Sequence, residues 1–378
     1  MNFDLTPDQQ LLQQSVQRLL DDTYSFDQRK VHLRSPQGWS AEVWGQLAEM
    51  GLLGLPFSAD DGGFGGGAVE VMLTMESMGR ALILEPYFAT VILAGTALKH
   101  GADAAQRARW LAPLIEGRAK YAFAHVESGA RYDLAHVETR ARRDGAGWRL
   151  SGAKHFVIHG DSADHLIVSA RNEGAAAERS GVSLFMVDAA ATRRRCYRTQ
   201  DGTQAADVTL DQVFVPDGDR IGPAGGAMTV IDAVVDAGMA ALAAEAVGVM
   251  ERAHKLTVDY MKIRQQFGTP IGRFQALQHR AVDMLVMVEQ ARSMAMYGSM
   301  MSEDLDPARR RQAVAAAKSY VGRAGKFVGE QAVQLHGGIG VTEDCAVGHY
   351  YRRLTMIDLL FGDSAHHLSL VAAAGALP

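Results

Sequence analysis

The sequence predicts an α+β protein in three successive stretches: a helical bundle, an antiparallel β-barrel or sandwich, and a second helical bundle. Three observations carry that prediction. Apolar residues recur at helical spacing in the N-terminal part, alternation with period two begins around Tyr121, and the helical period returns from Gly226. Elements that segregate in this way, rather than alternating, argue against a doubly wound parallel sheet. The 378 residues amount to two or three domains of roughly 150 residues each, and the pattern divides them at 1–117, 118–225 and 226–378.

Thr6-Pro7 opens the first helix, with Thr6 as N-cap and Pro7 at the first helical position, where a missing N–H is harmless. Leu11, Leu12, Val16, Leu19 and Leu20 then mark one face. A second run through Trp44, Leu47 and Met50 stops near Gly51, and a third extends from Ala68 to about Leu84. None of the three can bury its stripe alone, so they are expected to pack together.

In the middle stretch, Val137 to Arg142 alternates, and Asp144-Gly145-Ala146-Gly147 is a hairpin turn into Trp148-Arg149-Leu150. His165 to Ser169 and Val182 to Val187 read as buried strands, followed by Val208 to Leu210 and Val213 to Val215. With no helix between them, these strands are expected to pair antiparallel. Beyond Gly226, Phe274, Leu277, Ala281, Leu285 and Val288 form one apolar stripe of a long helix. Asp306-Pro307 caps the next helix, which ends near Gly337-Gly338.

Composition narrows the function. With 48% hydrophobic and 21% charged residues the chain has material for a large core, which excludes a disordered or fibrous protein. A net charge of −5 gives no basic field for nucleic acid. No stretch has the roughly 20 uninterrupted apolar residues of a membrane span, Pro86 to Leu98 being too short and too polar. The N-terminus has no basic n-region. The two cysteines, Cys196 and Cys345, build neither a disulfide framework nor a zinc knuckle, so a cytoplasmic enzyme without metal or membrane partner is expected.

Several motifs have ordinary readings. Gly63-Phe64-Gly65-Gly66-Gly67-Ala68 matches a dinucleotide pattern, but no proper strand precedes it, and a tight connecting loop is the expected structure. His155 and His159, on one strand face, would stand roughly 13 Å apart at about 3.3 Å per residue, too far to share an ion. Asp363, His366 and His367 read as the polar end of the last helix. The segment from Arg264 through Gln265, Phe267, Gly268, Pro270, Phe274 and Gln278 to His279 is different. It offers a guanidinium for a phosphate, aromatic faces for a flat ring and amides for a heterocycle edge at one helix turn. A second cluster, Gln334-Leu335-His336-Gly337-Gly338-Ile339-Gly340, has glycines that let a ligand approach the backbone.

With these two clusters in this order the chain resembles the flavin-dependent acyl-CoA dehydrogenases. Ala124–Asp133, the Gly152–Ile158 strand, the Leu5–Gln9 start and the glycine loop agree, so the resemblance covers nearly the whole chain. Gly362-Asp363 with His366-His367, Arg131 to Leu134 and Gly348 to Thr355 are most similar to the small subunit of two-component members such as pimeloyl-CoA dehydrogenase. The resemblance implies a C-terminal four-helix bundle and FAD held between the β domain and the C-terminal helices, its adenosine end crossing to a neighbouring subunit. It implies Arg264 at the pyrophosphate, Phe267 and Phe274 packed on the cofactor, and Gln334, Gly337 and Gly338 around the adenosine half. Phe156 takes the place of the family's flavin-shielding tryptophan. Ile158 and Val126 stand where threonines usually meet the flavin, and Tyr132 where a serine does.

The reaction implied is α,β-dehydrogenation of an acyl-CoA in fatty or dicarboxylic acid degradation, with electron-transferring flavoprotein as acceptor. It needs an oriented carboxylate to remove the α-proton. The family's glutamate position is Phe361 here, and the alternative position falls near Gly238. Asp363 and Asp236 are the nearby carboxylates, Asp363 being the candidate base. Three readings follow: a homo-oligomeric dehydrogenase, dimer or tetramer, with a displaced carboxylate; a flavin-binding or structural subunit of a hetero-oligomer whose large subunit carries the glutamate; or a flavin-free scaffold.

Overall fold

The computed structural model describes residues 4–375. Thr6 Oγ1 accepts the Gln9 N–H at 3.2 Å while Gln9 Oε1 takes the Thr6 N–H at 3.0 Å, a capping box that starts α1 (Pro7–Thr23). There follow α2 (Phe26–Arg34), α3 (Ala41–Glu49), α4 (Ala68–Ala81), a π-helical stretch at Phe88–Ala94, α5 (Gly95–Gly101) and α6 (Ala104–Ile115). Gly51, at φ 75°, lies just past the end of α3. α2 carries no apolar stripe to announce it, and its buried residue is Arg29. The glycine loop packs on its own chain. The N–H groups of Gly63, Phe64, Gly65 and Gly66 donate to the carbonyls of Ser58, Gly54, Phe57 and Leu55, which leaves none of these four amides for a phosphate.

Two compact units divide the chain. One comprises the N-terminal residues to Val31, Gly67–Ile83 and everything from Met239; the other comprises His32–Gly66 and Leu84–Gly238. Of the three apolar helices of the N-terminal part, α1 and α4 belong to the first unit and α3 to the second.

In the second unit, β1 (Tyr121–Ala124), β2 (Arg140–Asp144), β3 (Gly147–Ile158), β4 (His165–Arg171), β5 (Val182–Asp188), β6 (Arg193–Arg198), β7 (Gln204–Pro216) and β8 (Arg220–Ile221) form one sheet. Its spatial order is β6-β7-β3-β2-β4-β5-β8, with β1 added on β4. The β2–β3 hairpin turns as expected, Asp144 pairing with Gly147 and Gly145 at φ 53°. Pairing is antiparallel except that β1 runs parallel to β4 and β2 touches β4 in parallel at Arg140 and Arg171. A parallel pair needs a long crossover, and residues 125–164 supply one between β1 and β4. The two apolar runs at Val208 and Val213 are a single strand, β7, which a register shift and Gln212 at φ 52° break into two patterns. β6 carries four arginines on a sheet edge, where charge blunts further pairing, so no apolar alternation marks it. Leu150, Val157, Leu166, Val168, Phe185, Val208 and Leu210 are among the core residues of this unit.

The chain then runs through α7 (Met228–Ile263), a short hairpin β9 (Gln265–Gln266) and β10 (Thr269–Pro270), α8 (Gln275–Met301), α9 (Pro307–His336), α10 (Ala346–Leu359) and α11 (Ser364–Ala374). Asp306 caps α9, accepting the Ala308 N–H at 2.9 Å, and Gly337 ends it. α7 is long and apolar enough to cross a membrane by length and composition, but its apolar stretch is mostly buried inside the protein, as a core helix is. In the first unit, glycines let α4 and α7 touch backbone to backbone: a Cβ at Gly79 would run into the Glu245 carbonyl and one at Gly248 into that of Glu76. That close approach draws α4 to the C-terminal helices. On α8 the buried seam is Met284, Val288, Ala291, Ala295 and Gly298, not the stripe the hydrophobicity suggested. Of that stripe only Val288 is fully buried, while Leu285 is 44% exposed. α9 presents mainly small residues and packs close to small residues on α8, which a count of large apolar side chains overlooks.

Candidate active site

In the helical unit the sequence places a tight turn directly after α7. Phe267 (φ 54°) and Gly268 (φ 77°) form the tip of the β9–β10 hairpin, both left-handed as a two-residue turn of the I′ kind requires. The Ile271 N–H closes back on the Arg264 carbonyl at 2.8 Å, and Gln278 Nε2 donates to the Gly272 carbonyl at 2.8 Å. The Phe267 ring is 91% exposed and meets Phe274 edge-on at 6.1 Å. Arg264 is exposed, with no carboxylate partner among the described residues.

The second cluster comes to the same end of the unit. Tyr260, one turn before Arg264, stacks on His336 with centroids 4.4 Å apart and planes 19° apart. His336 Nδ1 also contacts the Ala332 carbonyl at 2.8 Å. Burial lowers the pKa of this imidazole, against that backbone contact. Gln334 is exposed, and a Cβ at Gly337 or Gly338 would meet nothing within 4 Å, so the backbone there lies open.

The α10–α11 link carries Phe361, the position to which the resemblance assigns the base. Phe361 is left-handed (φ 59°), and Gly362 at φ 117° leaves no room for a Cβ against His367 and His366. Asp363 Oδ1 accepts the His366 N–H at 2.8 Å as the N-cap of α11. Beneath the link, buried Lys318 of α9 donates to the Asp358 and Gly362 carbonyls at 2.8 and 2.9 Å. Burial pulls its pKa down to about 8, although the Asp358 and Asp363 charges oppose this. His367 Nε2 donates to the Phe361 carbonyl at 3.1 Å. Burial, then the Lys318 charge, holds this ring down at about 3, so it is neutral at physiological pH. Asp236 is buried on α7, in the stretch that belongs to the other unit, as does Gly238.

In the sheet unit, the Val126 carbonyl accepts the His155 N–H at 2.8 Å, which joins the loop after β1 to the Gly152–Ile158 strand. That strand is irregular between Lys154 and Val157. Phe156 sits at φ 54° there, and its N–H donates to Asp207 Oδ1 at 3.1 Å. Burial works to raise the Asp207 pKa, but Arg195, Phe156 N–H and Tyr197 hold it low. Phe156, Ile158 and Tyr132 are half-buried and Val126 is exposed. His159 is left-handed beyond the end of β3, so it does not share a regular strand face with His155 as simple alternation predicted. Among the described residues no group of three His, Cys, Asp or Glu side chains is arranged to hold a metal ion.

Sequence reasoning passed over several buried charges, Lys154, Glu127 and Arg171 among them. Lys154 and Glu127 form an ion pair at 2.5 Å, and fully buried Arg171 donates to backbone carbonyls of Ala135, Val137, Ala176, Glu178 and Ser180. Lys154 lies inside a motif the resemblance had already marked, and a lysine in an otherwise half-apolar strand was the available signal.

Residues 6–118, 122–213 and 226–376 match, in order, the N-terminal, middle and C-terminal domains of acyl-CoA dehydrogenase. The chain is 30% identical over 334 residues to the acyl-CoA dehydrogenase FadE12 of Mycobacterium tuberculosis, covering 86% of this chain and 84% of that one. Among solved structures, a chain of the Tcur3481-Tcur3483 steroid ACAD is 29% identical with a TM-score of 0.87, covering 97% of each chain. A chain from the electron transferring flavoprotein structure of Acidaminococcus fermentans is 26% identical with a TM-score of 0.91, covering 99% of each. This chain belongs to the acyl-CoA dehydrogenase family, FAD-dependent oxidoreductases that act on acyl-CoA thioesters.

Proposed function

We propose that this chain is the flavin-binding subunit of a two-component acyl-CoA dehydrogenase, in which a partner chain of the same fold carries the carboxylate that removes the α-proton. One observation carries the reading. Phe361 occupies the position of the base, and the nearest carboxylate in sequence, Asp363, is already engaged as the cap of α11. Tcur3481-Tcur3483, named as a pair, supports a two-component arrangement of the kind that includes pimeloyl-CoA dehydrogenase. Exposed Ile263, Phe267, Val282, Leu285 and Val286 support an oligomer. The Acidaminococcus structure supports electron-transferring flavoprotein as the acceptor, and we place the enzyme in the cytoplasm.

The residues present fit FAD. The open backbone at Gly337 and Gly338 admits a close ligand, the Arg264 guanidinium is free for a pyrophosphate, and the bare Phe267 ring has a flat face to cover. Arg264, Phe267, Phe274, Gln334, Gly337 and Gly338 would hold it from the helical unit, and Val126, Tyr132, Phe156 and Ile158 from the sheet unit. When bound, the flavin accepts the substrate's β-hydrogen as hydride. Ile158 and Phe361 put apolar side chains where the family has polar ones, so on this reading the carboxylate that removes the α-proton comes from elsewhere.

The test is the colour of the purified chain. The reading expects an oxidised-flavin spectrum that medium-chain or dicarboxylyl-CoA bleaches anaerobically only after a second, glutamate-bearing chain is added. Bleaching by the chain alone would show that it has its own base. A chain that cannot be reconstituted with FAD would be a scaffold.

A further inference from the structure

A wholly buried ammonium must find acceptors for its donors. Lys154 on β3 finds three: the His125 carbonyl at 3.3 Å, Glu127 Oε1 at 2.5 Å and Ser169 Oγ on β4 at 2.9 Å. Glu127, itself buried, turns the same carboxylate to the N–H groups of Glu138 at 2.6 Å and Thr139 at 3.1 Å. The chain leaves the sheet at Ala124 and returns at Arg140, so one carboxylate ties both ends of the intervening loop together. From β4, the Arg171 guanidinium grips the returning limb through the carbonyls of Ala135 and Val137 at 2.9 and 3.0 Å. Val126 and Tyr132 ride on this loop, and Phe156 follows Lys154 by two residues.

We infer that the Lys154–Glu127 pair is a positioning device for the cofactor, holding the loop 126–139 in the shape in which Val126 and Tyr132 meet the flavin. The inference rests on the placement of those residues at FAD in the reading above. An apolar pair of the same volume would usually stabilise a core at least as well, so stability alone does not call for this pair. What an apolar pair cannot do is accept the two amides that close the loop. Burial draws the Lys154 pKa down to about 8 while the Glu127 charge and hydrogen bond oppose it, in keeping with a pair held for geometry at the expense of solvation.

The experiment compares the full chain with Lys154→Met, Glu127→Gln, Ser169→Ala and the apolar double variant Lys154→Met/Glu127→Met. Amide hydrogen exchange over residues 128–139 should rise in Lys154→Met and Glu127→Gln. FAD should bind about tenfold more weakly or worse, because the loop is competent only part of the time. The visible spectrum and reduction potential of the bound flavin should shift. The double variant removes the unpaired buried charge, so its thermal stability should recover while FAD binding stays weak. If Lys154→Met does not fold, Ser169→Ala and the double variant decide the matter. Unchanged exchange in the loop overturns the positioning role whatever the flavin does. A loosened loop with wild-type FAD affinity and spectrum overturns it in another way, by showing that Val126 and Tyr132 do not meet the flavin. Recovery of FAD binding in the double variant would reduce the pair to a matter of stability.

Discussion

The Asp363 carboxylate accepts the backbone N–H of His366 at 2.8 Å and thereby starts α11. A capping carboxylate is held against the first turn of its own helix, a different posture from that of a base turned toward a substrate carbon. Asparagine caps as well as aspartate, so Asp363→Asn should keep both stability and partner-dependent flavin bleaching. Asp363→Ala should lose about 1 kcal/mol of stability. Denaturant unfolding and anaerobic bleaching check the pair; loss of bleaching in Asp363→Asn would return the base to this chain.

Phe361 already occupies the left-handed conformation its position demands, at φ 59°, and its carbonyl is held by His367. Glutamate there would carry the same backbone strain, so the fold should tolerate Phe361→Glu. A placed general base contributes about a hundredfold or more, so this variant alone should bleach its flavin with acyl-CoA at least that much faster than the parent chain. Stopped-flow reduction without a partner chain measures the gain.

Arg264 is an exposed guanidinium in its cluster with an open path to a phosphate. Charge-assisted contacts of this kind contribute about 1.5–3 kcal/mol, so Arg264→Ala should weaken FAD by roughly ten- to a hundredfold. Arg264→Lys should recover only part, since an ammonium is a point charge without the fork. Normal FAD stoichiometry in the alanine variant after dialysis would place the pyrophosphate elsewhere.

Burial, then the Lys154 charge, holds His125 neutral with a pKa of about 3; His367 is held at about 3 by burial and Lys318. Both folded values are depressed. Below the ordinary pKa of 6.5 the unfolded chain takes up protons that the folded chain refuses. Stability is therefore full above that pH and falls as pH drops toward 3, by up to about 1.4 kcal/mol per pH unit for each ring. Urea midpoints between about pH 7 and about pH 4 should show this slope, and His125→Gln should remove one ring's share. A flat profile across that range would mean the rings are protonated in the folded state.

Much of the fold was legible because it is written in neighbouring residues. Thr6-Pro7, Asp306-Pro307 and the Asp144–Gly147 turn act within a few positions, and each does what its local chemistry predicts. The parallel pairing of β1 with β4 was not legible, because it joins residues some forty positions apart with no periodic mark. Nor was the seam of α8, where alanine and glycine gain their contacts from a close partner helix rather than from their own hydrophobicity.

The sequence by itself determined the order of helical and strand-rich stretches, the helix starts and stops, and the paired motifs at Arg264 and Gln334 that carry the family resemblance. Those follow from caps, turns and periodicity, which are local. Only the tertiary structure decided what the charged residues do: that Asp363 caps α11, that Lys154 and Glu127 clasp a loop, and that Lys318 holds the link bearing Phe361. The physical reason is burial. A charge in water is indifferent to its distant neighbours, but a charge taken out of water must find partners, and the fold alone brings those partners within reach.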